Sequence, residues 1–306
     1  MTQISKLNFN NLEAFFSKAS ELTLCQFEWK TIEHRFYILR EDLLHPALSG
    51  NKFRKLFGWL KQYKLGNYSG VESMGGTHSN HLSALSYACI VLQIPCKIFV
   101  PIGSKSPLMD KLKQTKIEIS EVSREAFRNL REKNESESNG TLWVSEGGKG
   151  EPSKIGFKAV AQQIIDAKLN AVVSAGTGST AMALASFGVR TTALLAVKDA
   201  SVAAKLEQNN IDVYPTYSIS KFGKLDAEAL ALANTFYDQT GILLDPIYQP
   251  KGLLMLCEEN ALNENTVFIH TGGLQGWMGY QDELEVNFPE KKKKEIYANF
   301  DAIFTS

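Results

Sequence analysis

"AVVSAGTGSTAMALASFG", residues 171–188, decides how this chain is read. Its first five residues are apolar or small, as a buried strand requires, and residues 179–187 are rich in helix formers. Only Gly176, Thr177 and Gly178 separate the two. A strand that turns into a helix over so few residues is half of a β–α–β unit, and a further apolar run, "TTALLAV" (191–197), supplies the next strand.

The same rhythm extends in both directions. Upstream, "GVESMGG" (70–76), "CKIFVP" (96–101), "KIEIS" (116–120) and "TLWVSEGG" (141–148) read as strands. Helical stretches at 79–93, 107–115, 124–133 and 155–169 alternate with them. Downstream, two helices (200–209 and 226–240) precede a last strand, "VFIHTGG" (267–273). Alternation of this kind predicts an α/β fold with open parallel sheets covered on both faces. The polar stretch "EKNESESNG" (132–140) is expected as an exposed loop, and Lys291–Lys294 as a solvated face. No internal repeat and no long linker interrupt the pattern.

With 306 residues, 44% of them hydrophobic, the chain can bury a large core. Lysine plus arginine equals aspartate plus glutamate at 33 each, which argues against a general nucleic-acid or anionic-membrane binder. Cys25, Cys89, Cys96 and Cys257 form no CxxC pair and no disulfide scaffold, so reduced thiols in the cytoplasm are expected. No window suggests a signal peptide or a membrane span.

Three glycine loops carry chemical signals. Gly176, Thr177, Gly178, Ser179 and Thr180 offer free amides, hydroxyls and a helix N-terminus to a phosphate. The same residues equally suit a tight, hydroxyl-capped turn. There is no GxxxxGK[ST] and no clean GxGxxG, so ATP and NAD are disfavoured. "SMGGTHSNHLSAL" (73–85) offers a second helix start, with Ser79 and Asn80 at its opening. His78 and His81 lie three apart, but no third ligand is evident and no metal is expected. Thr271 in "FIHTGGL" (268–274) puts a hydroxyl at the carboxyl edge of a sheet, where α/β folds bind ligands.

A fourth stretch, "SGNKFRKLFGWLKQYKLG" (49–66), reads as an amphipathic helix with Phe53, Leu56, Phe57 and Leu60 on one stripe. Lys52 opens it. A lysine desolvated by apolar neighbours loses pKa and becomes a nucleophilic amine. A phosphate cup plus such a lysine suits pyridoxal phosphate (PLP), which forms a Schiff base with the amine.

Six segments in order complete a resemblance. "REDLLHPALSGNKFRKL", "GGTHSNHLSALSYA", "EGGKGEPSKIGF", "SAGTGSTAMALA", "DPIYQPKG" and "FIHTGGL" resemble the 1-aminocyclopropane-1-carboxylate (ACC) deaminase and D-cysteine desulfhydrase family of fold-type II PLP enzymes, which are tryptophan synthase beta-like. The resemblance implies two α/β domains with PLP in the cleft between them. The large domain would comprise residues 1–53 and 157–306, the small one residues 54–156. It further implies Lys52 as the Schiff-base lysine and Lys55 as a lysine near the phosphate. Asn80 would bond the cofactor's phenolic oxygen. Ser79, Asn80 and His81 would hold the substrate carboxylate, with Ser79 close to the reacting carbon. Gly176 to Thr180 would cup the phosphate, Tyr248 would act on protons near the leaving group, and Thr271 would face the pyridine nitrogen.

The pattern also has departures. Gln249 stands where ACC deaminases carry glutamate, and Phe222 where a tyrosine is expected. "LSALS" lacks an arginine, and Gln275 replaces a proline. Gln249 with Thr271 points to the desulfhydrase branch, and Phe222 fits neither branch. The expected activity is therefore β-elimination from a small amino acid, D-cysteine giving pyruvate, ammonia and sulfide. ACC ring opening, dehydration of a hydroxy amino acid and PLP binding without turnover remain alternatives. A homodimer is implied by the resemblance alone.

Overall fold

A computed structural model describes residues 7–133, 140–221, 223–302 and 304. Phe222 and most of the expected 132–140 loop lie outside the described residues.

Two sheets organise the chain. The first holds six strands in the order β1-β2-β10-β7-β8-β9. These are β1 (Glu21–Trp29), β2 (Ile32–Arg40), β7 (Asn170–Ala175), β8 (Thr191–Leu195), β9 (Asp212–Tyr214) and β10 (Thr266–His270). The second holds four strands in the order β5-β4-β3-β6, comprising β3 (Val71–Met74), β4 (Cys96–Pro101), β5 (Glu118–Val122) and β6 (Leu142–Val144). All pairings are parallel except one: β1 and β2 form an antiparallel hairpin. The sequence reading placed no strand before residue 70. The hairpin turn is Lys30-Thr31, both with positive φ (49° and 66°), a geometry usually given to Asn-Gly. Without glycine or asparagine there, the turn carries no sequence signature.

The helices connect and cover the sheets: α1 (Leu12–Phe16), α2 (Asn51–Leu65), α3 (Asn80–Leu92), α4 (Pro107–Leu112), α5 (Arg124–Leu130), α6 (Lys158–Asp166), α7 (Ser179–Ser186), α8 (Ala200–Glu207), α9 (Ala227–Thr240), α10 (Gln249–Glu258), α11 (Gln281–Asn287) and α12 (Glu290–Ala302). Successive residues of β7 feed opposite cores. Ala171, Val173 and Ala175 pack with α6 and α7, while Val172 packs with α9 and α10. That is the both-faces-covered sheet that near-continuous apolar strands demand.

The helix expected at 49–66 is α2, and its stripe is buried as expected. Burial goes further than a stripe, because Arg54, Lys55 and Trp59 are also at most 2% exposed. The reason is a second neighbour: the 3-10 segment Glu151–Phe157 lies against the other side of α2, and a Cβ on Gly58 would fall 1.6 Å from the Pro152 carbonyl oxygen. Arg54 is accommodated by a buried ion pair with Glu41 at 3.0 Å and by bonds to the Phe16 carbonyl and Ser20 hydroxyl. The expected domain crossings at 53/54 and 156/157 therefore fall inside two touching elements. Apolar side chains of α1 and α12, including Phe15, Phe16, Ile296 and Phe300, join the core of the four-stranded sheet. The Lys291–Lys294 run is not wholly solvated: Lys293 is buried and pairs with Glu285 and Glu290.

Candidate active site

Strand ends and helix starts converge between the sheets. Gly50 begins the convergence. Its φ is +66°, and a Cβ there would lie 1.8 Å from the Thr271 carbonyl oxygen, so only glycine permits the contact. The Asn51 amide donates to that carbonyl at 3.2 Å. The first turn of α2 is thereby fixed against the end of β10, and Lys52 projects from it into the cleft.

Lys52 and Lys55 share an acceptor. Their Nζ atoms donate to the Gly147 carbonyl at 3.4 and 3.3 Å, and Lys55 donates to Ser179 Oγ at 2.6 Å. Burial pushes the Lys52 ammonium down to about 8. Burial, aided by the charge of Lys52, pushes Lys55 well below the ordinary lysine value.

The phosphate candidates sit opposite. Gly178 caps α7 in the left-handed region (φ 71°) and offers no side chain, so the first amides of α7 have no side-chain acceptor. Thr177 Oγ1 and Ser179 Oγ lie 3.0 Å apart over them. Thr180 is turned away and accepts from Asn51 Nδ2 at 3.0 Å, joining α7 to α2. Tyr248 covers Gly176, where a Cβ would lie 3.4 Å from the phenolic oxygen. Burial and then the Asp245 carboxylate raise the Tyr248 pKa, so the phenol keeps its proton.

At α3 the Ser79 Oγ accepts from the Leu82 amide at 3.2 Å. Asn80 lies against Gly273, where a Cβ would meet Asn80 Nδ2 at 2.7 Å, and Asn80 Oδ1 is buried without a partner among the described residues. His81 points elsewhere. Its ring is 2% exposed and turned into the four-stranded sheet, with Nε2 2.8 Å from Ser73 Oγ. Ser73 donates its own proton to the Val144 carbonyl at 2.6 Å, which makes His81 Nε2 the donor. Burial, then the two lysines, hold His81 well below its ordinary pKa. His78 faces Gly279 instead, so the two histidines do not converge. No group of three metal-ligating side chains occurs among the described residues.

Thr271 closes the site. Gln249, fully buried, donates from Nε2 to Thr271 Oγ1 at 3.3 Å and to the Gly272 carbonyl at 3.2 Å. The backbone around Gln249 is fixed by Asp245, whose carboxylate accepts the amides of Ile247, Tyr248 and Gln249. Asp245 and the Gly147 carbonyl are site components the sequence reading missed. An Asp-Pro start to a helix is a signal for the first, and a backbone acceptor has none.

These residues fit PLP. An aldehyde would find Lys52, a phosphate the uncapped α7 amides with Lys55, Thr177 and Ser179, and a phenolic oxygen and ring nitrogen Asn80 and Thr271. The profile of the family described as "Pyridoxal-phosphate dependent enzyme" matches residues 21–272. The chain belongs to that family, and PLP is its cofactor.

Its relatives narrow the group. A putative 1-aminocyclopropane-1-carboxylate deaminase of Pyrococcus horikoshii is 28% identical over 292 residues, covering 81% of this chain and 87% of the relative. A putative D-cysteine desulfhydrase 2, mitochondrial, of Oryza sativa subsp. japonica is 26% identical over 331 residues, covering 83% and 81%. Among solved structures, an ACC deaminase homologue superposes with a TM-score of 0.67 at 22% identity, covering 91% of this chain and 99% of its own. No helix among the described residues is long and apolar enough to cross a membrane.

Proposed function

We propose that the protein catalyses β-elimination from a small amino acid, with D-cysteine as the first substrate to test. The observation that carries this reading is the neutral pair Gln249–Thr271 at the end of β10, 3.3 Å apart and fixed against the lysine helix. A hydroxyl there leaves the pyridine nitrogen unprotonated more readily than a carboxylate would, which suits elimination.

When bound, PLP supplies the electron sink that lets the α-proton leave. Lys52 takes that proton. Its pKa of about 8 leaves a useful fraction of free amine at neutral pH. Beside a bound phosphate Lys55 would regain its proton, because a dianion favours the ammonium. Ser79 and Asn80 hold the substrate carboxylate at the start of α3. Tyr248, kept as a phenol by burial and by Asp245, donates toward the leaving group. Thr271, whose oxygen already accepts from Gln249, would keep its own proton for the ring nitrogen of the bound cofactor.

The test is product analysis after incubation with D-cysteine, L-cysteine and ACC, with Lys52→Ala as control. Pyruvate with sulfide supports the reading. 2-Oxobutyrate from ACC alone would replace it with ACC deamination, the activity in the putative name of the Pyrococcus relative. Lys52→Ala should lose on the order of 10²–10⁴-fold in rate, and a variant that keeps the full rate sinks the assigned role. The four cysteines are buried free thiols, which supports a reducing compartment.

A further inference from the structure

Ser83 lies one helical turn beyond Ser79, whose carbonyl accepts its amide at 3.1 Å. Ser83 is fully buried, and its hydroxyl has no hydrogen-bond partner among the described residues. Buried hydroxyls rarely stay unpaired, because desolvation without a partner is costly. This one borders a small cavity between α3 and the C-terminal part of the chain. His78, Ser79 and Gln275 line it together with Leu108, Met278 and Phe300. The cavity measures about 10 Å³, room for roughly one water-sized group.

We infer that this cavity is the subsite for the substituent on the substrate's β-carbon, and that Ser83 sets its specificity. The inference rests on the amino-acid reading of the site and deepens it. Ser79, which would hold the substrate carboxylate, lines this cavity together with Ser83, its neighbour one turn along α3. A buried hydroxyl without a partner among the described residues, in a cavity of this size, suits a single hydroxyl or thiol. The two ring methylenes of ACC or a longer chain exceed the space. One wall residue comes from α12, which the lysine-rich sequence hides: Phe300 is 4% exposed although the helix carries Lys291–Lys294.

The experiment titrates the holoenzyme with alanine, serine, 2-aminobutyrate and norvaline in both enantiomers, following the cofactor's visible absorbance. Ser83→Ala and Ser83→Val are compared with the parent, after thermal melts establish that both fold. In the parent, alanine and serine should bind best and norvaline least. Ser83→Ala should weaken serine relative to alanine by roughly 2–10-fold, the worth of one neutral hydrogen bond. Ser83→Val should fill the cavity and lose 2-aminobutyrate while keeping alanine. A parent that releases pyruvate from cysteine, with both variants binding the whole series unchanged, overturns the subsite alone. A parent whose absorbance responds to no amino acid overturns the subsite and the proposed function together.

Discussion

Two helix starts face the same cleft, and they are built differently. At α3 the chain satisfies one of its own amides: Ser79 Oγ accepts from Leu82. At α7 it does not, because Gly178 brings no side chain, and Lys55 stands 2.6 Å from Ser179 Oγ instead. A capped start has spent part of its donor capacity. An open start beside a cation keeps all of it and adds charge. The difference separates the two anions of an amino-acid enzyme. On the proposed reading, the dianionic phosphate would go to α7 and the singly charged substrate carboxylate to α3.

Lys55→Ala gives the largest expected effect on this contrast. It removes the cation from the α7 side only, and a hydrogen bond to a charged group is worth about 1.5–3 kcal/mol. Cofactor affinity should therefore fall roughly 10–150-fold, as measured by equilibrium dialysis with PLP. An unchanged affinity would mean that α7 binds the phosphate without help.

A pH series on cofactor-free protein comes next. Lys52 attacks only as the free amine, and burial lowers its pKa to about 8. Capture of PLP, followed by absorbance, should speed up as pH rises, about tenfold per unit below that value, and level off above it. A rate still climbing steeply above pH 9 would show that the ammonium is not desolvated.

The smallest effect belongs to α3. Ser79→Ala removes the cap, which costs about 0.5–2 kcal/mol, readable as a lower urea midpoint. PLP affinity should stay as in the parent. If it fell as far as in Lys55→Ala, the division of labour between the helix starts would be wrong.

Much of this arrangement was legible in the sequence. Lys52, Asn80, the 176–180 loop and Thr271 all lie where short local rules put ligands: at a helix start or at a glycine-rich strand end. His81 shares its local stretch with Ser79 and Asn80 but not their direction, because the bond to Ser73 turns its ring into the sheet. Helix α10 went unread because Gly252 interrupts it. Tertiary packing requires that glycine, since a Cβ there would meet Ser174 Oγ at 2.6 Å. Phe222, the departure with most bearing on chemistry, lies outside the described residues.

By itself, then, the sequence determined the β–α alternation, the three glycine loops and a lysine at the head of an apolar helix. These depend on periodicity, turn chemistry and propensity over a dozen residues at most. The tertiary structure alone decided that the β1–β2 hairpin pairs with β10, and that Gly147 offers its carbonyl to both lysines. It also decided that Phe300 walls a cavity beside Ser83. Those contacts join segments far apart in the chain. Their formation depends on burying two sheets and a shared helix together, which no local pattern records.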